Sequence, residues 1–328
     1  MLKFGTTVIS LFVATFGGAT ADTLAAATTY PTSNPLSSPD LPAPQSSLPD
    51  FFDLNDLDDF VTQEYGDLIT TPVHEDIHRL YYQNLDSLSS NQEEMDYVLQ
   101  IMKRFQVGTA SFADPSLNWK NREVLSKYTQ QTIRQFNFAK TDTSSSDVPT
   151  DADTHYKPGG TLTSTFGKWT SACTSEKLTD PSGLGRWSGL TFLGKEGKHL
   201  SIITGYRSPR QTVKQTTTFY DQQYALLAAA GVKKPNVRKD FITSMITQVQ
   251  LLQEKGHEVI VNLDANEIRG QDKTFGINDL IESCDLHDLH DSIPGRSPAT
   301  YKYGKERRID FMLGTTKVSE NIINAGYT

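Results

Sequence analysis

Cysteine is scarce: Cys173 and Cys284 are the two cysteines in 328 residues. That count excludes a disulfide-built scaffold, and their separation matches neither a zinc ribbon nor a redox pair. No apolar run approaches the roughly 20 residues that span a bilayer, which excludes a transmembrane helix. No segment repeats at a fixed period, which excludes solenoid and propeller arrays. Lys and Arg are missing from residues 50–76, where nine acids gather, and residues 1–49 carry one Lys against two Asp. Residues 1–76 therefore carry -10, and residues 77–328 carry +2, which together make the formal charge of -8. A near-neutral folded part need not repel a polyanion.

What is present divides the chain. Met1-Leu2-Lys3, a mostly apolar run to Phe16, and small residues Ala19 and Ala21 before Asp22 have the three parts of a secretory leader over residues 1–21. Thr6, Thr7, Ser10 and Thr15 dilute the run, so a non-cleaved N-terminus stays open, and with it the choice between a secreted and an intracellular or nuclear protein. Residues 22–76 are first Pro- and Ser-rich, then acidic. This composition cannot bury enough apolar area to offset its ordering entropy, and a disordered linker is expected.

Residues 77–328 alternate strand and helix patterns irregularly, which predicts a mixed α/β or α+β domain. Strands are expected at 79–84, 107–113, 161–166, 189–192, 200–205, 258–263 and 308–313. Helices are expected at 92–105, around 122–136, near 219–230 and from 235 to about 255, with residues 141–153 as a polar loop. Trp119, Trp169 and Trp187 are read as packing residues.

The sharpest local feature is Val259-Ile260-Val261-Asn262-Leu263-Asp264-Ala265-Asn266. An apolar strand that releases Asp and, two residues on, Asn presents both side chains on one face at its carboxyl end. An acceptor beside an amide donor suits activation of water near a phosphate. In Arg307-Arg308-Ile309-Asp310-Phe311-Met312 an acid lies inside an apolar run, costly unless it is paired or hydrogen-bonded. Arg207, Arg210 and Lys214, and separately Lys302, Lys305, Arg307 and Arg308, are the cations available to a phosphate backbone. Leu286-His287-Asp288-Leu289-His290 has a helical His spacing but no evident third ligand, and a surface turn explains it.

Taken in order, these pieces resemble the endonuclease/exonuclease/phosphatase superfamily over roughly residues 78–328. Asn84 matches the Asn of its first strand, Asp114 the metal-binding acid (usually Glu), Tyr206 the Tyr of its central strand, Asp264 and Asn266 the Asp-x-Asn pair, and Asp310 the late Ile-Asp-Phe motif. Lys157-Pro158-Gly159-Gly160-Thr161, the run Asp180 to Trp187, and Ala299-Thr300-Tyr301 are similar to endonuclease domains of retroelements. The resemblance implies a DNase I-like four-layer sandwich, two mixed sheets flanked by helices. It also implies metal-dependent phosphodiester hydrolysis of nucleic acid, DNA rather than RNA, with Mg²⁺ or Mn²⁺ on Asp114. Asn84 would position metal and phosphate, Tyr206 would donate to a phosphate oxygen, Asp264 would hold the attacking water, and Asn266 would stabilise developing charge. Arg207 and Arg308 would contact phosphate.

The sequence departs from the pattern in one respect. In the family the late Asp orients a general-base His from a following Asp-His motif, and this sequence reaches Thr328 before one. Weak or absent turnover is the expectation. A non-catalytic truncated relative and a secreted phosphatase or sphingomyelinase-like phosphodiesterase stand as alternatives.

Overall fold

In the computed structural model the described residues are 8–14, 77–88, 92–150, 154–210, 218–291, 299–301 and 307–327. The expected linker at 22–76, and Lys214, Lys302 and Lys305, lie outside them. The strands are β1 (Val8–Ala14), β2 (Ile77–Asn84), β3 (Thr109–Ala113), β4 (Ala139–Ser144), β5 (Thr161–Phe166), β6 (Cys173–Lys177), β7 (Trp187–Leu193), β8 (His199–Tyr206), β9 (His257–Asp264), β10 (Leu286–Asp288), β11 (Asp310–Thr315) and β12 (Ile322–Tyr327). The helices are α1 (Gln92–Arg104), α2 (Arg122–Phe136), α3 (Trp169–Ala172), α4 (Phe219–Ala229), α5 (Val237–Glu254), α6 (Ile277–Ser283) and α7 (Thr316–Glu320).

The strands form two six-stranded sheets, ordered β12-β1-β2-β3-β5-β4 and β10-β11-β9-β8-β7-β6. Each sheet is mixed, with β2 parallel to β3 in the first and β8 parallel to β9 in the second. The period of two along each strand decides what each layer holds. Leu80 and Tyr82 of β2 meet Ile202, Ile260 and Met312 of the second sheet in one core. The alternate residues Tyr81, Ala110 and Phe112 face Met95, Leu99 and Met102 of α1 and Val124 and Tyr128 of α2. On the other side Val259, Val261 and Leu263 pack against Phe241, Met245 and Val249 of α5 and Ile277 and Leu280 of α6. The result is the expected α+β sandwich of helices, sheet, sheet and helices.

The inter-sheet layer also holds a polar seam. Thr163 Oγ1 lies 2.7 Å from Thr204 Oγ1 and 3.1 Å from Ser188 Oγ, Thr161 donates to Ser188 at 2.9 Å, and Asn262 Nδ2 donates to Ser111 Oγ at 2.8 Å. Seam partners in dry surroundings fix the register of one sheet over the other more strictly than aliphatic contacts do.

Two sequence expectations are corrected. Residues 139–144 form edge strand β4 rather than the start of a loop, pairing with β5 along its length. The polar run Ala-Lys-Thr-Asp-Thr-Ser hid it, because its inward residue is Asp142, whose buried carboxylate accepts from Thr179 Oγ1 at 2.7 Å and Gly189 N at 3.0 Å. Leu286–Asp288 is strand β10 rather than a surface turn: His287 is exposed, His290 is buried, and they share no face. Within the proposed leader, residues 8–14 form β1, bonded to β2 and β12; residues 1–7 and 15–21 lie outside the described set. No helix among the described residues is long and apolar enough to cross a membrane.

Thr163→Val keeps the shape of the seam and removes its hydroxyl, so Thr204 loses its cross-sheet partner. The expected cost is about 1–3 kcal/mol of stability, read from urea unfolding with an unchanged m-value.

Candidate active site

The inward-facing positions of the central strands grow more polar toward one edge. Along β2 they run Leu80, Tyr82, Asn84; along β8, Ile202, Thr204, Tyr206; along β9, Ile260, Asn262, Asp264; and β11 enters at Asp310 before Met312. The β8–β9 register sets Tyr206 opposite Asp264, and the β9–β11 register sets Asp310 opposite Asp264. β3 ends beside Asn84, so the next residue, Asp114, reaches the same edge. Asn84, Asp114, Tyr206, Asp264, Asn266 and Asp310 are therefore all carried to the open end of the inter-sheet layer.

Hydrogen bonds across the two sheets hold the carboxylates. Asn84 Nδ2 donates to Asp264 Oδ2 at 2.7 Å, and the Tyr82 hydroxyl donates to Asp310 Oδ1 at 2.9 Å. Asn266 clamps Asp264 from its own strand, through its backbone N–H to Oδ1 at 2.8 Å and its amide to Oδ2 at 3.1 Å. That amide also donates to the Arg207 carbonyl at 2.8 Å, so in the free protein Asn266 orients Asp264. Asp114 Oδ1 accepts from Ser116 Oγ at 2.8 Å and from the Gly159 N–H at 3.1 Å, and the nearby Tyr206 hydroxyl favours its ionised form.

Burial pushes the Asp264 carboxyl well above the usual carboxylate range, with the neighbouring Asp310 charge adding to it. Burial likewise raises Asp310, to about 6, against the opposing help of Thr300, Tyr82 and Arg308. Asp114 is raised by burial, with Asp86 adding repulsion. Tyr206 is raised by burial and by Asp114 and Asp264, and stays a donor at neutral pH. Asp86 was not anticipated from the sequence. It is exposed, two residues past Asn84, and its N–H is bonded to the Asn84 Oδ1 at 2.8 Å. The Asn-x-Asp spacing was its only signal. Asp86, Asp114, Ser116 and Asn266 all have left-handed backbone, with φ of 45°, 47°, 51° and 48°. Such strain gathers where side chains must be aimed off the ends of strands.

Gly159 supports the wall behind Tyr206. Its φ is +76°, and a Cβ there would lie 2.4 Å from the ring of Phe219, which stacks on Tyr206 at 5.2 Å between centroids. This is a physical reason for the Lys-Pro-Gly-Gly-Thr run. The Asp180–Trp187 run serves similarly: Arg186 donates to Asp180 Oδ2 at 2.7 Å and Asp240 Oδ2 at 2.6 Å, tying that loop to α5.

The two phosphate-contact arginines are corrected. Arg207 is 1% exposed and spends its guanidinium on Glu267, on Asp272 at 3.2 Å and on the Phe275 carbonyl at 2.8 Å. Arg238 joins the same acids at 3.4 and 3.1 Å. A strand-end Arg directly after Tyr206 looks free in sequence, but Glu267 and Asp272 fold back over it. Arg308 donates to Asp288 Oδ1 at 2.7 Å and lies over the Phe311 ring, so its charge acts on Asp310 from a fixed place. Cys173 and Cys284 are free and buried.

The buried acids give a signed pH dependence. A carboxyl raised on folding binds its proton more tightly in the native state, so stability is greatest at low pH and falls as pH rises through the native value. With divalent cations chelated, the melting temperature should fall between about pH 4 and 7, and Asp310→Asn should remove on the order of 3 kcal/mol of that dependence. Separately, Arg207→Ala leaves Glu267 buried without its main partner and should cost about 3–5 kcal/mol in urea unfolding. A residue that only touched substrate phosphate would cost almost nothing.

No family model and no curated protein matches the chain. It is similar to solved structures, among them the endonuclease domain of TRAS1, a telomere-specific non-LTR retrotransposon, at 13% identity and TM-score 0.43 over 76% of this chain and 96% of that one. Another is the Xenopus laevis APE2 catalytic domain, at 14% and 0.46 over 76% and 90%. A third, at 12% and 0.41 over 76% and 96%, is an endonuclease/exonuclease/phosphatase family protein from Leptotrichia buccalis.

Proposed function

We propose that this chain is a divalent-metal-dependent phosphodiesterase whose substrate is nucleic acid, DNA in preference to RNA. The observation that carries the reading is the convergence of two buried acids, Asp264 and Asp310, a half-buried third, Asp114, two asparagines and a tyrosine at one end of the inter-sheet layer. The donor set suits a hard cation. Asp86 and Asp114 offer oxygen ligands and repel each other, and no three His, Cys, Asp or Glu among the described residues form a ligand cluster. A cation there would complete its shell with waters and phosphate oxygens, the habit of Mg²⁺. When bound it would neutralise phosphate charge.

This chain's own groups then divide the work. The Asp264–Asp310 pair, held by Asn84 and Tyr82, accepts the proton of the attacking water as its oxygen bonds to phosphorus and the ester P–O bond breaks. Tyr206, kept protonated, offers its hydroxyl to a phosphate oxygen. Asn266 fixes the direction of Asp264. Among the described residues, proton acceptance rests on these carboxylates.

The test is hydrolysis of bis(4-nitrophenyl) phosphate beside plasmid nicking, with Mg²⁺, with Mn²⁺ and with EDTA. Metal-dependent hydrolysis should fall about 10²- to 10⁴-fold in Asp264→Ala, while the fold measured by circular dichroism persists. Activity that survives EDTA, or that ignores Asp264, overturns the reading. Cleavage of a phosphomonoester or sphingomyelin but not of the diester would favour the phosphatase or sphingomyelinase-like alternative.

A further inference from the structure

Beyond the catalytic edge, the segment after Asp114 leads to a second concavity. Residues 114–118 run as a ribbon against 155–160: Ser116 N donates to the Gly159 carbonyl at 3.0 Å, Lys157 N to the Ser116 carbonyl at 2.9 Å and Asn118 N to the His155 carbonyl at 2.8 Å. The ribbon carries Asp114 at one end. At its other end Asn118 enters a cavity of about 700 Å³ lined also by Lys120, Arg122, His155, Lys157 and Asp147. Four residues of extended chain reach at most about 14 Å, and one strand of a duplex rises 3.4 Å per nucleotide, so the cavity lies within a few nucleotides of Asp114.

The lining is built for an anion. Lys157 is 1% exposed, and its ammonium donates to the Val148 carbonyl at 2.7 Å, which leaves further N–H donors. Burial and the nearby Lys120 charge both work against its ionised form, so two like charges are held close with Asp147 as the compensating group. The Lys120–Asp147 contact of 2.6 Å joins two side chains that are both more than half exposed, a pair that contributes little and exchanges readily. Arg122 forms no ion pair with any described residue. Glu123, the other acid among the described lining residues, is engaged by Lys127 at 2.6 Å and His155 at 3.4 Å. The amino end of α2 is closed by Asn121, which accepts from Glu123 N and Val124 N, so side chains rather than the helix end would hold the ligand.

We propose that this cavity is a remote phosphate subsite, in which Lys120, Arg122 and Lys157 bind a backbone phosphate of the same nucleic-acid strand whose scissile phosphate lies at Asp114. The proposal rests on the phosphodiesterase reading. In it Lys120 leaves Asp147 for the phosphate, and the buried Lys157 supplies a fixed charge at the floor.

The test measures fluorescence anisotropy of a labelled 20-nucleotide duplex and its single strand on the full chain, in EDTA to prevent cleavage, across a salt series. Lys120→Gln with Arg122→Gln should weaken binding about 10-fold and reduce the slope of log affinity against log salt by about one, the signature of one lost phosphate contact. Asp147→Asn removes the carboxylate that competes for Lys120 and should tighten binding several-fold. Both side-chain sets are exposed, and circular dichroism checks that the variants fold. Unchanged affinity and slope in the double variant overturn the subsite, as does failure of the wild type to bind either oligonucleotide. Competition by inorganic phosphate as strong as that of the oligonucleotide would also overturn it, in favour of a small phosphorylated ligand. The catalytic reading is judged apart, by bis(4-nitrophenyl) phosphate and Asp264→Ala, since so short a diester cannot reach the cavity.

Discussion

Two carboxylates set opposite each other across antiparallel strands, Asp264 and Asp310, are the constraint around which the rest is arranged. Buried like charges are unfavourable, and the fold offsets them in part by bonding each to a residue of the other sheet, Asp264 to Asn84 and Asp310 to Tyr82. Those two bonds fix the separation of the sheets at the site edge. The polar seam of Ser111, Thr163, Ser188, Thr204 and Asn262 continues the same register into the interior. The site is thus the end of an ordinary packing layer in which aliphatic residues give way to polar ones.

Most of the central architecture was legible because its strands are apolar and its helices amphipathic. Val259–Leu263 and the α5 face of Phe241, Met245 and Val249 both announce themselves by period. Strand β4 was not legible, since its buried Asp142 reads as loop until Thr179 and Gly189, far along the chain, are seen to satisfy it. β10 is only three residues long, too short for any periodicity to register.

For the site, strand ends were readable and the partners of charged groups were not. Asp264 and Asn266 follow from alternation past a buried strand, and Asp310 from an acid in an apolar run. The burial of Arg207 depends on Glu267 and Asp272, which follow in a loop 60 and 65 residues later. Nothing local distinguishes such an arginine from a solvent-facing one. The supporting role of Phe219 is visible only when Gly159 and Tyr206 are found on either side of its ring.

The Arg207–Glu267–Arg238–Asp272 cluster joins the end of β8, the start of α5 and the loop after β9 through charge rather than through apolar contact. Hydrophobic attraction plateaus on warming, whereas the penalty for stripping water from ions falls. The wall of the site therefore weakens less on heating than the cores on either side of it. The molecule's response to temperature is uneven by construction, with the edge that carries Asp264 and Asn266 the part that softens least.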